Sequence, residues 1–191
     1  MKIEKKYIKL YKEMHQDDRT YQGVSLDKEI PNIANLVLRT SSMTVLDYGC
    51  GKGNQYKQSN SNILFHISDE NLFLYDPAYE EHNTLPDRTF DGVISTDVLE
   101  HIPEEVIPKT LYQIFERAEK FVYLAICTRL AHAILPNGEN AHCTVKEPDW
   151  WEKYIIESNK NKIHTEVHWY GNHNCLVGSE MCIRDRFDES M

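Results

Sequence analysis

Asp47 is followed at alternate positions by Gly49, Gly51 and Gly53, with Cys50 and Lys52 between them. Glycine lets a backbone approach a ligand closely and take positive φ at little cost, so this stretch has the make-up of a turn that cradles a small polar ligand. Two rival patterns fail on spacing. A dinucleotide fingerprint needs glycine at 52 or 54, where the chain has Lys52 and Asn54, and a Walker loop needs Ser or Thr where Gly53 stands. Further on, Asp76 ends an apolar run. A carboxylate there can accept hydrogen bonds from both hydroxyls of a ribose, a reading preferred over the turn-forming role that Asp76-Pro77 also suits.

A second group of reactive side chains lies in Thr96-Asp97-Val98-Leu99-Glu100-His101. Asp97 and His101 are four apart, so a helical turn places them on one face, with Glu100 beside them. Histidine titrates near neutrality and suits a general base; capping of a helix start is the plainer role for the acids. His132 and His142 lie in a later loop able to fold over a pocket. Asp97, Glu100, His101 and His142 offer oxygen and nitrogen ligands for a divalent ion. The reading adopted is metal-free, with Glu100, His101 and His142 as the alternative ligand set.

The elements that must hold these residues follow from periodicity. Residues 1–15 carry Ile3, Tyr7, Leu10, Tyr11 and Met14 at helical spacing, an amphipathic helix expected to lie over a pocket or sheet edge. Ser25–Thr40 reads as a second helix, with Pro31 near its start. Short apolar runs at Met43–Asp47, Leu72–Tyr75, Phe90–Ser95 and Lys120–Ile126 alternate with helical segments such as Pro103–Ala118. That alternation marks an α/β fold with a mostly parallel, buried sheet. A long loop, Cys127–Lys146, precedes a helix from about Pro148 to Asn159, whose Trp150 and Trp151 suit core packing or an aromatic wall for a substrate. Lys162–Trp169 alternates like a strand, and Gly171-Asn172 is expected to turn it into a last strand at Asn174–Val177, a C-terminal antiparallel hairpin.

The chain has 191 residues, 41% hydrophobic and 27% charged, and fits one domain over residues 1–177, of which 1–40 form an N-terminal helical cap. The tail 178–191 continues no pattern, resembles a translated sequencing-adapter fragment, and is set aside as non-native. With no apolar run near the roughly 20 residues of a membrane span and no secretory leader, no membrane partner is expected and a cytoplasmic location is the default. Five cysteines without a Cys-x-x-Cys pair argue against both disulfides and a cysteine-based zinc site. A net charge of −9 gives nonspecific nucleic acid binding no support, though a local basic patch can coexist with it. A small-molecule substrate is favoured.

Asp47-x-Gly49-x-Gly51-x-Gly53, Asp76 and Phe90–Ile102 together resemble, in order, the first, second and fourth motifs of class I S-adenosylmethionine-dependent methyltransferases, over about residues 43–126. Leu135–His142 followed by Trp150-Trp151 resembles a small phage and bacterial subset. The resemblance implies a Rossmann-like methyltransferase fold with S-adenosylmethionine as cofactor, its methionine portion on Asp47, Gly49, Cys50, Gly51 and Gly53, its ribose on Asp76 beside Pro77, and Thr96 and Asp97 near the methyl end. It implies methylation of a small-molecule or sugar acceptor at oxygen, with His101, Asp97 and His142 as catalytic candidates. The Glu100-His101 pair with a distant histidine also resembles metal-dependent small-RNA 2′-O-methyltransferases, so metal-assisted ribose methylation is the alternative, alongside a protein that binds or cleaves the cofactor without transferring methyl. One departure stands out. Only thirteen residues, 77–89, separate Asp76 from Phe90, so the third strand must be shortened or missing, and the adenine-contacting positions that follow it have no counterpart.

Overall fold

The computed structural model describes residues 2–17, 25–171 and 181–182. Helix α1 (Lys2–Met14) comes first. The expected second helix divides into a single 3₁₀ turn at Ser25–Lys28 and α2 (Ile30–Arg39), which carries Pro31 in its first turn, where a missing N–H costs nothing. Then follow β1 (Val45–Tyr48), the short helices α3 (Asn54–Ser59) and α4 (Ser61–Leu64), β2 (Leu72–Tyr75), β3 (Phe90–Thr96), α5 (Ile107–Phe115), β4 (Ala118–Cys127), α6 (Pro148–Ser158) and β5 (His164–Tyr170).

Strand order is β2-β1-β3-β4-β5, and every pairing among these five is parallel. Buried parallel strands need apolar residues on both faces. One face of the sheet packs Ile107, Leu111, Trp151 and Ile155 of α5 and α6, and the other packs Ile33, Leu36, Tyr56 and Phe65 from α2 to α4. Trp151 is thereby a core residue, with Trp150 only partly buried at the edge of the same cluster. Between β2 and β3 there is one 3₁₀ turn, Glu80–His82, and no strand, so β2 is the sheet's edge and the missing third strand is a fact of the fold. A two-residue strand, β6 (Met181–Cys182), runs antiparallel to β5, while the predicted strand Asn174–Val177 and most of the tail lie outside the described residues.

The register builds the site. Tyr48 pairs with Tyr75, which brings Gly49 level with Asp76, and Thr96 pairs with Ala125, which brings Asp97 toward the end of β4. Since β2 leaves β1 on one side and β3 on the other, the carboxyl ends of β1 and β3 flank the point where strand order reverses, where open α/β sheets bind ligands. Within β3, Gly92 faces Phe121 of β4, and a Cβ at Gly92 would fall 2.2 Å from that ring, itself fully buried. Gly92→Ala is therefore expected to destabilise the chain by about 1–3 kcal/mol through overpacking. Urea denaturation checks this; an unchanged midpoint would mean that the sheet yields at this point.

Candidate functional site

A cavity of about 1110 Å³ opens at the carboxyl ends of β1, β3 and β4, enough for a cofactor and an acceptor together. The glycine loop forms its floor. Gly49, Gly51 and Gly53 have φ of +93°, +57° and +62°, and a Cβ at Gly49 would lie 2.4 Å from the Val98 side chain, so only glycine fits there. Gly49 and Cys50 donate their N–H groups to the Tyr75 carbonyl at 2.7 and 3.1 Å, and Gly51 donates to Asp76 Oδ2 at 2.9 Å. Asp76 Oδ1 accepts from the Ala78 N–H at 2.8 Å. Each carboxylate oxygen keeps a further lone pair, and Asp76 and Pro77 both line the cavity. Gly53 does not reach the cavity; it turns the chain into α3.

Asp47 is buried within β1, one strand in from the sheet's edge, yet borders the cavity. Its Oδ2 accepts from Tyr56 Oη at 2.7 Å and Gln55 Nε2 at 3.2 Å, partners on α3 that sequence reading missed. Burial pushes its carboxyl up to about 7; the Tyr56 hydrogen bond opposes that and the charge of Asp76 adds to it. A raised folded value means that the protonated form is the stable one, so the stability it confers is complete below about pH 4 and is lost as pH rises through about 7. Asp47→Asn, which keeps an acceptor for Tyr56, is thus expected to match the wild type near pH 4. At pH 8 it should be more stable by on the order of 3–4 kcal/mol. Denaturation at the two pH values checks it, and equal gains at both would refute it.

Past β3 the expected helical turn does not form. Asp97 takes φ +60°, and a single 3₁₀ turn, Leu99–His101, follows. Successive residues of such a turn point about 120° apart, so Glu100 and His101 face different ways. Asp97 and His101 nevertheless converge with His142, one donor atom of each lying within 4.8 Å of the others. The left-handed Asp97 achieves what helical spacing was expected to do. His101 Nδ1 is 2.9 Å from the Ala141 carbonyl and its ring stands edge-on to His142, centroids 4.7 Å apart. The bond to a carbonyl places the proton on Nδ1 and makes Nε2 the basic nitrogen. Loss of surrounding water holds His101 well below its ordinary value, the charge of Asp97 acting against this. His132 is exposed at the rim.

Glu100 turns away from the cavity. Fully buried, its Oε1 accepts from the Cys127 N–H at 2.7 Å and its backbone carbonyl from the Thr144 N–H at 3.0 Å. The roof is α1 with the residue that follows it, lining the cavity with Glu4, Tyr7, Ile8, Tyr11 and His15. Tyr11 Oη reaches the carbonyls of His101 and Ala141, each at 2.8 Å, tying the roof to the 3₁₀ turn and the late loop. The amphipathic spacing signalled such a cover, but not the tyrosine that fastens it. Outside the cavity lining, Glu29, fully buried, accepts from Tyr123 Oη and sits 2.7 Å from His168 Nδ1, fixing the end of the Ser25–Lys28 turn against β4 and β5.

A family model described as a methyltransferase domain matches residues 20–172, a span that includes every element from α2 to β5. The chain belongs to the class I S-adenosylmethionine-dependent methyltransferase family. No curated protein and no solved structure is matched by it. The sheet of this methyltransferase ends at β2 on one side, and among the described residues no helix is long and apolar enough to cross a membrane.

Proposed function

We propose that this methyltransferase binds S-adenosylmethionine across the glycine loop and methylates a hydroxyl of a small-molecule or sugar acceptor. The observation that carries the cofactor assignment is the pairing of two carboxylates on the cavity floor, Asp47 behind the loop and Asp76 beside it, 25 residues apart from Gly51 but bonded to it. The residues fit the cofactor. Asp47, whose ionisation is suppressed by burial and by the charge of Asp76, suits an ammonium group, which supplies the missing counter-charge. Asp76 retains acceptor capacity for two ribose hydroxyls, and the positive-φ glycines keep side chains out of the floor. When bound, the cofactor supplies a methyl group on a sulfonium, transferable in line to a nucleophile with a thioether as leaving group.

The chain's own part is alignment and proton removal. The floor and the α1 roof hold the reactants in line, the effect that dominates such displacements. His101, with its Nδ1–H held on the Ala141 carbonyl, presents a neutral imidazole whose Nε2 takes the hydroxyl proton, and Asp97 steadies the imidazolium that results. The histidine base supports an oxygen acceptor, because a hydroxyl must lose its proton to become a good nucleophile. The −9 net charge supports a small acceptor over a nucleic acid.

Methyl-labelled cofactor incubated with the chain and a panel of sugars and small alcohols tests this reading, with label expected in an acceptor only when one is present. Cofactor turnover without acceptor would point to a cleaving protein instead. Because an ammonium on Asp47 favours its ionised form, affinity for S-adenosylhomocysteine is expected to rise as pH passes upward through about 7. A flat profile would contradict the Asp47 assignment.

A further inference from the structure

Beside the Asp97–His101 pair lies a set of donors that the proposed proton removal by His101 does not use. One atom each of Glu100, Cys127 and His142 falls within 4.8 Å of the other two. These residues are 0%, 5% and 9% exposed. Glu100 Oε1 is satisfied by the Cys127 N–H, but Oε2 is buried with no hydrogen-bond partner. A fully buried carboxylate oxygen left alone is costly in either protonation state: ionised it lacks a counter-charge, and protonated it needs an acceptor for its own O–H. His142 Nδ1 lies 2.6 Å from the Arg129 carbonyl. That is the outer hydrogen bond that fixes the tautomer and orientation of a metal-bound imidazole, putting the lone pair on Nε2. The Cys127 thiol is free, and its hydrogen bond to the Arg129 carbonyl is long at 3.8 Å.

We propose that Glu100, Cys127 and His142 bind a zinc-type divalent cation in the wall of the cavity. The donor set selects the ion. Thiolate and imidazole suit zinc and its borderline-soft relatives, whereas magnesium and calcium take oxygen ligands. The site differs from the oxygen and nitrogen set considered from the sequence, which lacks Cys127, and it runs against the expectation that the cysteines serve no zinc. No Cys-x-x-Cys spacing announces it, because β4 and the late loop bring Cys127 to Glu100 and His142 from 27 and 15 residues away. Three protein ligands leave a tetrahedral ion one open position, the arrangement of catalytic zinc. Cys127 and His142 line the cavity and Glu100 does not, so that position faces the cavity. An oxygen bound there is acidified; this last role, unlike the binding itself, rests on the hydroxyl-methylation reading.

The test uses the full chain stripped with a chelator, dialysed free of it and titrated with Co²⁺ as a spectroscopic stand-in for zinc. One equivalent is expected to bind, with a sulfur-to-cobalt charge-transfer band that disappears in Cys127→Ser while Cys50 and Cys143 remain in place. Glu100→Gln should weaken zinc binding by at least the roughly 10- to 100-fold that loss of an outer partner costs. Two results overturn the proposal: no stoichiometric binding by the wild-type chain, or binding with no sulfur band, which would place the ion on Asp97, His101 and His142. Titrating the same stripped samples with S-adenosylhomocysteine separates this from the cofactor reading, since retained binding of that ligand without metal binding sinks the zinc site alone.

Discussion

His101→Gln is expected to slow methyl transfer by about 10²–10⁴-fold, the range that general bases contribute, while S-adenosylhomocysteine binds as before. The reasoning starts from backbone geometry. Asp97 in the left-handed region ends β3 abruptly, one 3₁₀ turn follows, and Tyr11 of the roof pins the His101 carbonyl while Ala141 pins its ring. The imidazole is therefore neutral, oriented and on the cavity wall. Glutamine keeps much of the volume and a hydrogen-bonding amide but cannot take a proton. Steady-state rates with the acceptor found in the labelling screen, set beside calorimetric binding of S-adenosylhomocysteine, separate the two effects. A variant with full rate would remove His101 from the mechanism; one that loses rate and binding together would make it a support of the cofactor site.

The second large effect is expected at Asp76. Asp76→Ala removes the acceptor for the Gly51 and Ala78 N–H groups and, in the proposed complex, the acceptor for the ribose hydroxyls. Hydrogen bonds to a charged group contribute about 1.5–3 kcal/mol, so affinity for S-adenosylhomocysteine should fall roughly 10- to 150-fold. Asp76→Asn separates loop support from ribose binding. It can still accept one backbone N–H, so a fall close to that of alanine would assign the loss to the ribose. A change under twofold in both variants would remove Asp76 from the cofactor site.

The glycine loop and Asp76 were legible in the sequence because their physics is local. Glycines at alternate positions after a buried strand have few uses, and an acid at a strand end lies at the carboxyl edge of the sheet whatever the other strands do. The missing third strand was legible from chain length alone, since the residues after Asp76 are too few for it. The Asp97–His101 pairing was anticipated for the wrong reason: it comes from a left-handed residue and a 3₁₀ turn, which helical spacing does not foresee. Gly53, assigned to the cofactor by motif, stands at the start of α3 and is not among the residues that line the cavity. What stayed hidden is long-range. Tyr11 meets His101 and Ala141 across 90 and 130 residues. The Cys127 N–H meets Glu100 only because β4 carries it past the 3₁₀ turn. Tyr56 on Asp47 is close in sequence, yet its role depends on α3 folding back over the sheet.

The most direct measurement of the central claim is a crystal structure of the full chain with S-adenosylhomocysteine. It should show the ribose hydroxyls within hydrogen-bond distance of Asp76, the ammonium facing Asp47 over the glycine loop, and the sulfur directed toward His101. Nucleotide density elsewhere, or a ligand in the cavity that leaves both carboxylates untouched, would contradict it.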